Sequence, residues 1–433
     1  MRSLPRLGSG EPPWPLHVFA TDESSVQLTW RASPPELLRL EIGGSVLQPA
    51  ATPKAELALS LLGPKGIPPP GGARRRALDS GLPGGPGSAV VEGLLPGTTY
   101  DVVASARGAP RFLAARFRTL KAPQGRLLCQ FATISDLHVG EKFFGVLGRI
   151  HDPSEGLLDG SNPHAPAAYP ARALEAAIDE AVAWGAQLLV VKGDLTRQTV
   201  AAEVRDVARL LARSPIPVEV LLGNHDNKFG VDVRAIFEKH GMSVPWHPTA
   251  RDLPGLRLVL VNTVHGDPHN HRGQLPPEMS REVVSLAAGS AEAGNGAGAW
   301  IALHHPPEMH SYPTVYPPGV PWRESRLLLR SLAAAQPSSF VTCGHRHRNR
   351  RYGFGPVVIS EVGSTKDYPG VWAGYRVYEG GIVQVVRRTA RPDVLSWTEA
   401  TRRAVNGQWG RWSPGSLADR CFTVEWGDVG ARG

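Results

Sequence analysis

Cysteine is nearly missing from this 433-residue chain: there are three, Cys129, Cys343 and Cys421, far apart, and three cannot all pair. A disulfide framework is excluded, and a reducing compartment, hence a soluble cytoplasmic protein, is the simplest expectation. Long apolar runs are missing as well. No window approaches the roughly 18 uninterrupted apolar residues of a membrane span, and the start Met1-Arg2-Ser3-Leu4-Pro5-Arg6 is basic with no apolar run behind it. No membrane partner is expected. Histidine is almost absent from the first 120 residues, where His17 is the only one of 15. The chemistry is therefore expected in the larger C-terminal part.

What is present is globular. Charged residues at 20% and hydrophobic ones at 42% exclude a coiled coil and a disordered chain, while 48 Gly and 40 Pro predict long irregular connections. The length suits two or three domains. Basic residues exceed acidic ones by 47 − 39 = 8, with arginine supplying nearly all of the positive charge. Nucleic acid or an anionic substrate would suit that balance, although arginine-, alanine-, glycine- and proline-rich usage reflecting the base composition of a genome is the favoured account.

Before residue 120, Val26-Gln27-Leu28-Thr29-Trp30 alternates as a half-buried strand, and Tyr100-Asp101-Val102-Val103-Ala104-Ser105-Ala106 does so more loosely. Short strands between Pro/Gly turns suggest a β-sandwich. Leu94, Pro96, Thr98 and Tyr100, with Trp30 on an early strand, resemble the fibronectin type III pattern over residues 14–120. That resemblance implies a corner tyrosine whose hydroxyl bonds back to the backbone. The stretch from Gly63 to Gly72 departs from the pattern and reads as an exposed loop, and Arg74-Arg75-Arg76 reads as solvated loop charge in preference to a phosphate-backbone contact. Lys121-Ala122-Pro123-Gln124-Gly125 looks like a linker.

Beyond it the period changes. Strands are expected at Leu127–Ile134, Gln187–Val191, Val218–Leu222, Leu256–Asn262, Ala299–Leu303, Phe340–Cys343, Val357–Ser360 and Tyr375–Val386, with helices at Ala171–Trp184 and Ala201–Ala212. The alternation implies an α/β domain with ligands at strand ends.

At those ends stand Asp136-Leu137-His138, Gly193-Asp194, Gly223-Asn224-His225-Asp226, His304-His305 and Gly344-His345-Arg346-His347. Singly, each is an ordinary cap, turn or core histidine. Five such groups following apolar strands in one domain are a site. Carboxylates, imidazoles and one amide carbonyl suit divalent Mn, Fe or Zn, and seven or eight donors are too many for one ion, so two metal ions are expected.

The ordered blocks resemble the calcineurin-like metallophosphoesterase superfamily over residues 126–390. The resemblance implies an α/β fold, a four-layer α/β/β/α sandwich, preceded here by the all-β sandwich, with residues 391–433 as a Trp-rich extension. It also implies Asp136, His138 and His347 on one metal, Asp194 bridging, and Asn224, His304 and His345 completing the second; His305 is a ligand neighbour or faces substrate. Hydroxide from an acidified water would attack phosphorus in line, His225 would protonate the leaving group, and Asp226 would orient or charge that imidazole. Lys142, Arg197 and Arg346 could grip a phosphate oxygen, a surface or supporting role being equal for each. His265 to Gly273 reads as a substrate-side loop in preference to a third metal site. Trp397, Trp409, Trp412 and Trp426 read as packing, with nucleobase stacking as the alternative.

Gly193-Asp194-Leu195-Thr196-Arg197 disfavours the protein phosphatases and, lacking a tyrosine after the carboxylate, the purple acid phosphatases. The blocks look most like bacterial enzymes of the class III cyclic nucleotide phosphodiesterase type. The expected function is phosphoric ester hydrolysis on small phosphodiesters or nucleotides. A nuclease on DNA or RNA, and a scaffold that binds a protein partner through the fibronectin-like domain over an idle site, are the competing readings.

Overall fold

The computed structural model of the protein describes residues 16–31, 38–42, 45–46, 57–62, 74–81, 85–106, 112–145, 150–151, 168–228, 230–292 and 298–427. The chain divides into two compact units, Met1–Ala122 with Ala390–Ser396, and Pro123–Thr389 with Trp397–Gly433. The expected loop from Gly63 to Gly72 and the basic start at Met1 lie outside the described residues.

Among the described residues, the first unit holds nine strands: β1 (Leu16–Thr21), β2 (Ser25–Trp30), β3 (Leu38–Ile42), β4 (Ser45–Val46), β5 (Leu57–Leu62), β6 (Arg74–Gly81), β7 (Gly87–Glu92), β8 (Thr99–Ala106) and β9 (Phe112–Arg118). They make two sheets, in the orders β1-β2-β7-β6 and β4-β3-β5-β8-β9. Leu16, Val26, Leu28, Trp30, Val91, Tyr100, Val102 and Phe117, drawn from both sheets, share one buried cluster. The Tyr100 hydroxyl accepts from the Leu95 amide at 2.9 Å, and its ring stacks on Phe117 at 5.6 Å between centroids. Arg74, Arg75 and Arg76 are not in a loop. They start β6, where Arg74 pairs with Glu92 and Arg75 with Val91, at the end of the strand order among the described residues.

The second unit begins with β10 (Leu127–Ile134), the short β11 (Phe143–Phe144) and β12 (Ile150–His151), α1 (Tyr169–Trp184), β13 (Leu189–Lys192), α2 (Ala201–Ala212) and β14 (Val218–Leu221). It continues with α3 (Val233–Glu238), β15 (Thr249–Leu253), β16 (Leu256–Leu260), α4 (Pro277–Glu292), β17 (Gly298–Ala302), α5 (Trp322–Ala335), β18 (Ser339–Cys343), β19 (Arg350–Phe354) and β20 (Val357–Glu361). β21 (Val371–Tyr378), β22 (Gly381–Arg388), α7 (Trp409–Trp412), α8 (Leu417–Arg420) and β23 (Cys421–Glu425) complete it, and α6 (Pro392–Thr401) is divided between the units after Ser396. The expected single strand Tyr375–Val386 is thus a hairpin, with Tyr378 opposite Gly381 across a two-residue turn. Apolar periodicity runs through Glu379-Gly380, and only the Gly-Gly pair signals the reversal.

One sheet runs β14-β13-β10-β21-β22-β23 and the other β15-β16-β17-β18-β20-β19. β10, β13 and β14 are mutually parallel, as are β16, β17, β18 and β20. Strands buried on both faces read as unbroken apolar runs, as Leu189-Val190-Val191 does. Rings join the two sheets: Phe131 of β10 meets Trp300 of β17 at 5.0 Å, and Tyr375 of β21 lies 5.1 Å from Trp300. On the second sheet, Val283 and Ala287 of α4 and Leu328, Leu329 and Leu332 of α5 are buried with Val259, Ile301, Val341 and Ile359. Lys192, fully buried at the end of β13, donates to Thr342 Oγ1 and the Cys343 carbonyl at the end of β18, at 3.0 and 3.1 Å. Burial lowers this amine to about 8. The strand ends of both sheets are therefore tied together where the polar blocks emerge.

Trp300→Ala removes a fully buried ring from this junction and is expected to cost about 3–5 kcal/mol. Denaturant unfolding of the full chain measures it, and an unchanged midpoint would contradict the packing.

Candidate metal centre

Each polar block leaves a parallel strand at its C-terminal end: Asp136 and His138 after β10, Asp194 after β13, Asn224 after β14, His304 and His305 after β17, His345 and His347 after β18. The backbone must turn at once to aim these side chains inward. Of the eight described non-glycine residues at positive φ, five are Asp136, His138, Asp194, His345 and His347, at φ between 44 and 70 degrees. Such conformations persist only where the surroundings enforce them. Two glycines make room: a Cβ at Gly223 would sit 2.2 Å from Asp194 Oδ1, and one at Gly344 would sit 2.5 Å from Asp136 Oδ2. Glycine in the Gly-Asn-His-Asp and Gly-His-Arg-His blocks is therefore a steric requirement of the carboxylates.

The donors fall into two groups whose ligand atoms lie within 4.8 Å of one another: Asp136, His138, Asp194 and His347, and then His304, His305 and His345. Asp194 stands between them. Its Oδ2 is 3.5 Å from His138 Nε2, and its Oδ1 is 3.3 Å from His304 Nε2. His138 Nε2 and His347 Nε2 face each other at 3.2 Å. Asp136 Oδ2, Asn224 Oδ1, His304 Nε2 and His305 Nε2 are buried and make no hydrogen bond. Orphaned buried donors and acceptors are costly, and a mixed oxygen and nitrogen set of this kind is what divalent cations satisfy. The residues fit metal ions.

The electrostatics divide the rings: three are held neutral, while against burial the Asp194 carboxylate raises His304 and the Asp367 and Asp136 carboxylates raise His347. Burial holds the rings of His138, His305 and His345 well below their ordinary pKa, so they are neutral donors. Burial also opposes charge on His304, but the Asp194 carboxylate outweighs it and raises the ring to about 9. Asp194 itself is held well below the usual carboxylate range: burial works against this, and the charges of His304 and His225 prevail.

Nδ1 of three rings is committed elsewhere, which leaves Nε2 for the centre. His304 Nδ1 meets the Lys192 carbonyl at 2.8 Å, His305 Nδ1 meets Thr263 Oγ1 at 2.9 Å, and His347 Nδ1 meets Asp367 Oδ2 at 2.7 Å. Such outer partners fix the orientation of a ligating ring. Sequence reading missed Asp367; its one signal was a position six residues after β20, within Ser364-Thr365-Lys366-Asp367. It also missed that Trp409 Nε1 donates to Asp367 Oδ1 at 3.1 Å, which ties the Trp-rich segment to the centre. β23 joins that segment to the first sheet through β22.

Other candidates land differently. Arg346 is not free to grip phosphate: it is buried, bonded to Glu308 Oε1 at 2.5 Å, to Glu361 Oε1 at 3.2 Å and to the Pro317 carbonyl at 3.1 Å. Lys142 is exposed. Arg197 lines the cavity beside the centre with its guanidinium 4.8 Å over the Phe143 ring. His225 lines it too, its Nδ1 2.7 Å from the Arg197 carbonyl and its amide donating to Asp194 Oδ1 at 2.9 Å. Asp226 does not touch that imidazole. Its carboxylate accepts from the amides of Leu195, Thr196 and Gly223 at 3.0, 2.9 and 2.9 Å, so it shapes the backbone around Asp194. Burial and the Asp194 charge raise it to about 6 against those bonds. From the histidine-rich loop, His271 reaches the cavity, its Nδ1 3.1 Å from Asn224 Nδ2.

A family model described as calcineurin-like phosphoesterase matches residues 130–349, half of the chain. A dimetal phosphatase from Danio rerio is 13% identical with a TM-score of 0.47, covering 61% of this chain and 98% of its own. The purple acid phosphatase PPD1 of yellow lupin (Lupinus luteus) is 11% identical with a TM-score of 0.39, covering 87% of this chain and 72% of its own. No curated protein matches the sequence significantly.

Asp367→Asn weakens the acceptor that orients His347 and is expected to lower metal affinity about 10–100-fold. Competition with a chelator measures this, and unchanged affinity would remove Asp367 from the centre.

Proposed function

The chain belongs to the calcineurin-like phosphoesterase family and is a metal-dependent phosphoric ester hydrolase, and we propose that it uses two divalent ions, Mn, Fe or Zn, to hydrolyse small phosphodiesters or nucleotides. One observation carries the count of two: Asp194 turns one oxygen to each donor group, at 3.5 and 3.3 Å. Asp136, His138 and His347 would hold one ion, Asn224, His304 and His345 the other, with Asp194 shared and His305 at the second. Ions bound there would neutralise phosphoryl oxygens and acidify a water to serve as nucleophile.

The chain's own residues do the rest. His225 is fixed on two sides, by its amide on Asp194 and by Nδ1 on the Arg197 carbonyl, which leaves Nε2 to hand a proton to the departing oxygen. Burial lowers the pKa of this ring and the Asp194 charge counters it only in part, so the protonated ring is a stronger acid than a free imidazolium. Arg197 brings a cation to the cavity wall; no carboxylate is seen paired with it among the described residues. Asp226 keeps the Gly193–Thr196 turn and the Gly223–Asp226 turn in register. A cavity of about 420 Å3 suits a small ester.

The rest of the chain fits the same reading. The first unit is read as a fibronectin type III-like sandwich over residues 14–120, on the bond between Leu95 and Tyr100. The second is read as layered α/β/β/α over 126–390, from helices α4 and α5 on one sheet and rings meeting between sheets. The three cysteines are free and buried, which suits a reducing cytoplasm. No helix among the described residues is long and apolar enough to cross a membrane.

Metal-reconstituted protein assayed on paired mono- and diesters, with chelator controls, tests the reading; two bound ions with no hydrolysis of either ester would overturn it. Asp194→Asn is expected to lose bound metal and turnover together. His225→Ala is expected to keep its metal and lose about 10²–10⁴ in rate on poor leaving groups, and less on good ones. Full activity of that variant on a poor leaving group would contradict proton donation by His225.

A further inference from the structure

The cavity beside the centre has two unlike walls. One is the donor cluster with His225. The other is apolar and comes from two distant parts of the chain: Phe143 and Phe144 of β11, and Val405, Trp409 and Trp412 in and before α7. Trp409 meets Phe144 at 5.3 Å and 61 degrees, and Trp412 at 5.2 Å and 45 degrees. Cations lie against these rings, and two of them, Lys366 and Arg197, line the same cavity. Lys366 Nζ lies 4.8 Å from the Phe144 ring centre and pairs with Glu141, Arg348 sits 5.2 Å over Trp412, and Arg197 sits 4.8 Å over Phe143.

Packing accounts for Phe144, which is buried with Trp397 and Ala404 and carries Trp409 against it, but not for the rest of the wall. Phe143, Trp409 and Trp412 are only partly covered, and Val405 keeps 37% of its surface exposed at the cavity edge. Val405 also holds φ at 52 degrees. A β-branched residue in that region is an outlier that needs enforcement, and such strain gathers at ligand clamps. Trp409 is further committed to the centre, because its indole N–H donates to Asp367 Oδ1 while Asp367 Oδ2 holds His347. The apolar wall and the donor cluster are therefore linked through Trp409 and Asp367 and line one cavity.

We propose that Phe143, Phe144, Val405, Trp409 and Trp412 form a subsite for a planar aromatic group on the organic part of the ester, so that the substrates are aryl or nucleobase-bearing phosphates and not alkyl ones. This rests on the hydrolase reading above for the phosphoryl end. Rings contribute apolar area and edge or face contacts to another ring that an alkyl group of equal size does not receive. Stacking of this kind tolerates different bases and aryl groups, so the subsite selects a class and not a single compound.

The test is calorimetric binding of methylphosphonate, cyclohexylphosphonate and phenylphosphonate to the manganese-loaded full chain. None of these is turned over, so the result stands apart from catalysis: a loaded chain that binds phosphonates but hydrolyses no ester sinks the hydrolase reading, not the subsite. Phenylphosphonate is expected to bind about tenfold tighter than methylphosphonate and measurably tighter than cyclohexylphosphonate. Trp412→Ala, which leaves the Trp409 bond to Asp367 in place, and Trp409→Phe, which keeps a ring but drops that bond, separate stacking from support of the metal centre. The preference is expected to shrink at least several-fold in the first and to survive in the second. Equal affinity for the three phosphonates overturns the proposal, as does an undiminished phenyl preference in Trp412→Ala.

Discussion

A single carboxylate organises the second unit. Asp194 sits at the end of β13 with one oxygen toward each histidine group, and much of what surrounds it is arranged so that a buried anion can stay there. The His225 amide donates to it, Gly223 has no side chain because one would strike it, and Asp226 holds the turns on either side. Without cations, the same place contains buried nitrogen and oxygen atoms with no partner. That frustration is costly in an empty fold and resolved by divalent ions. Strand ends of two sheets, tied by Lys192, and five strained backbone positions hold the geometry ready.

This explains how much could be read from the sequence. The five blocks were legible because strand ends are marked by apolar runs that stop, and because Asp, Asn, Gly and His in fixed order have few structural uses together. Core strands such as Leu127–Ile134 and the helix Ala201–Ala212 were legible for the same reason: periodicity reports burial directly. The hairpin within Tyr375–Val386 was not, since both arms are apolar and only Glu379-Gly380 intervenes.

The support of the centre was harder to read. Asp367 lies 20 residues beyond His347 in a segment with no periodic pattern, and Trp409 is farther still; only folding brings them together. Arg346 was ambiguous because a cation between two histidines looks the same whether it faces substrate or, as here, two buried glutamates. Asp226 was placed beside His225 because neighbours in sequence look like neighbours in space. A 3-10 turn over Asn224–Asp226 instead points the carboxylate back at the backbone of Leu195 and Thr196. Local adjacency fails where a tight turn rotates successive side chains apart.

The central claim is that one carboxylate serves two ions. Native mass spectrometry of the full chain, loaded with manganese and freed of excess metal, counts them directly. The account predicts two ions per chain. Saturation at one ion, or none retained, would contradict it.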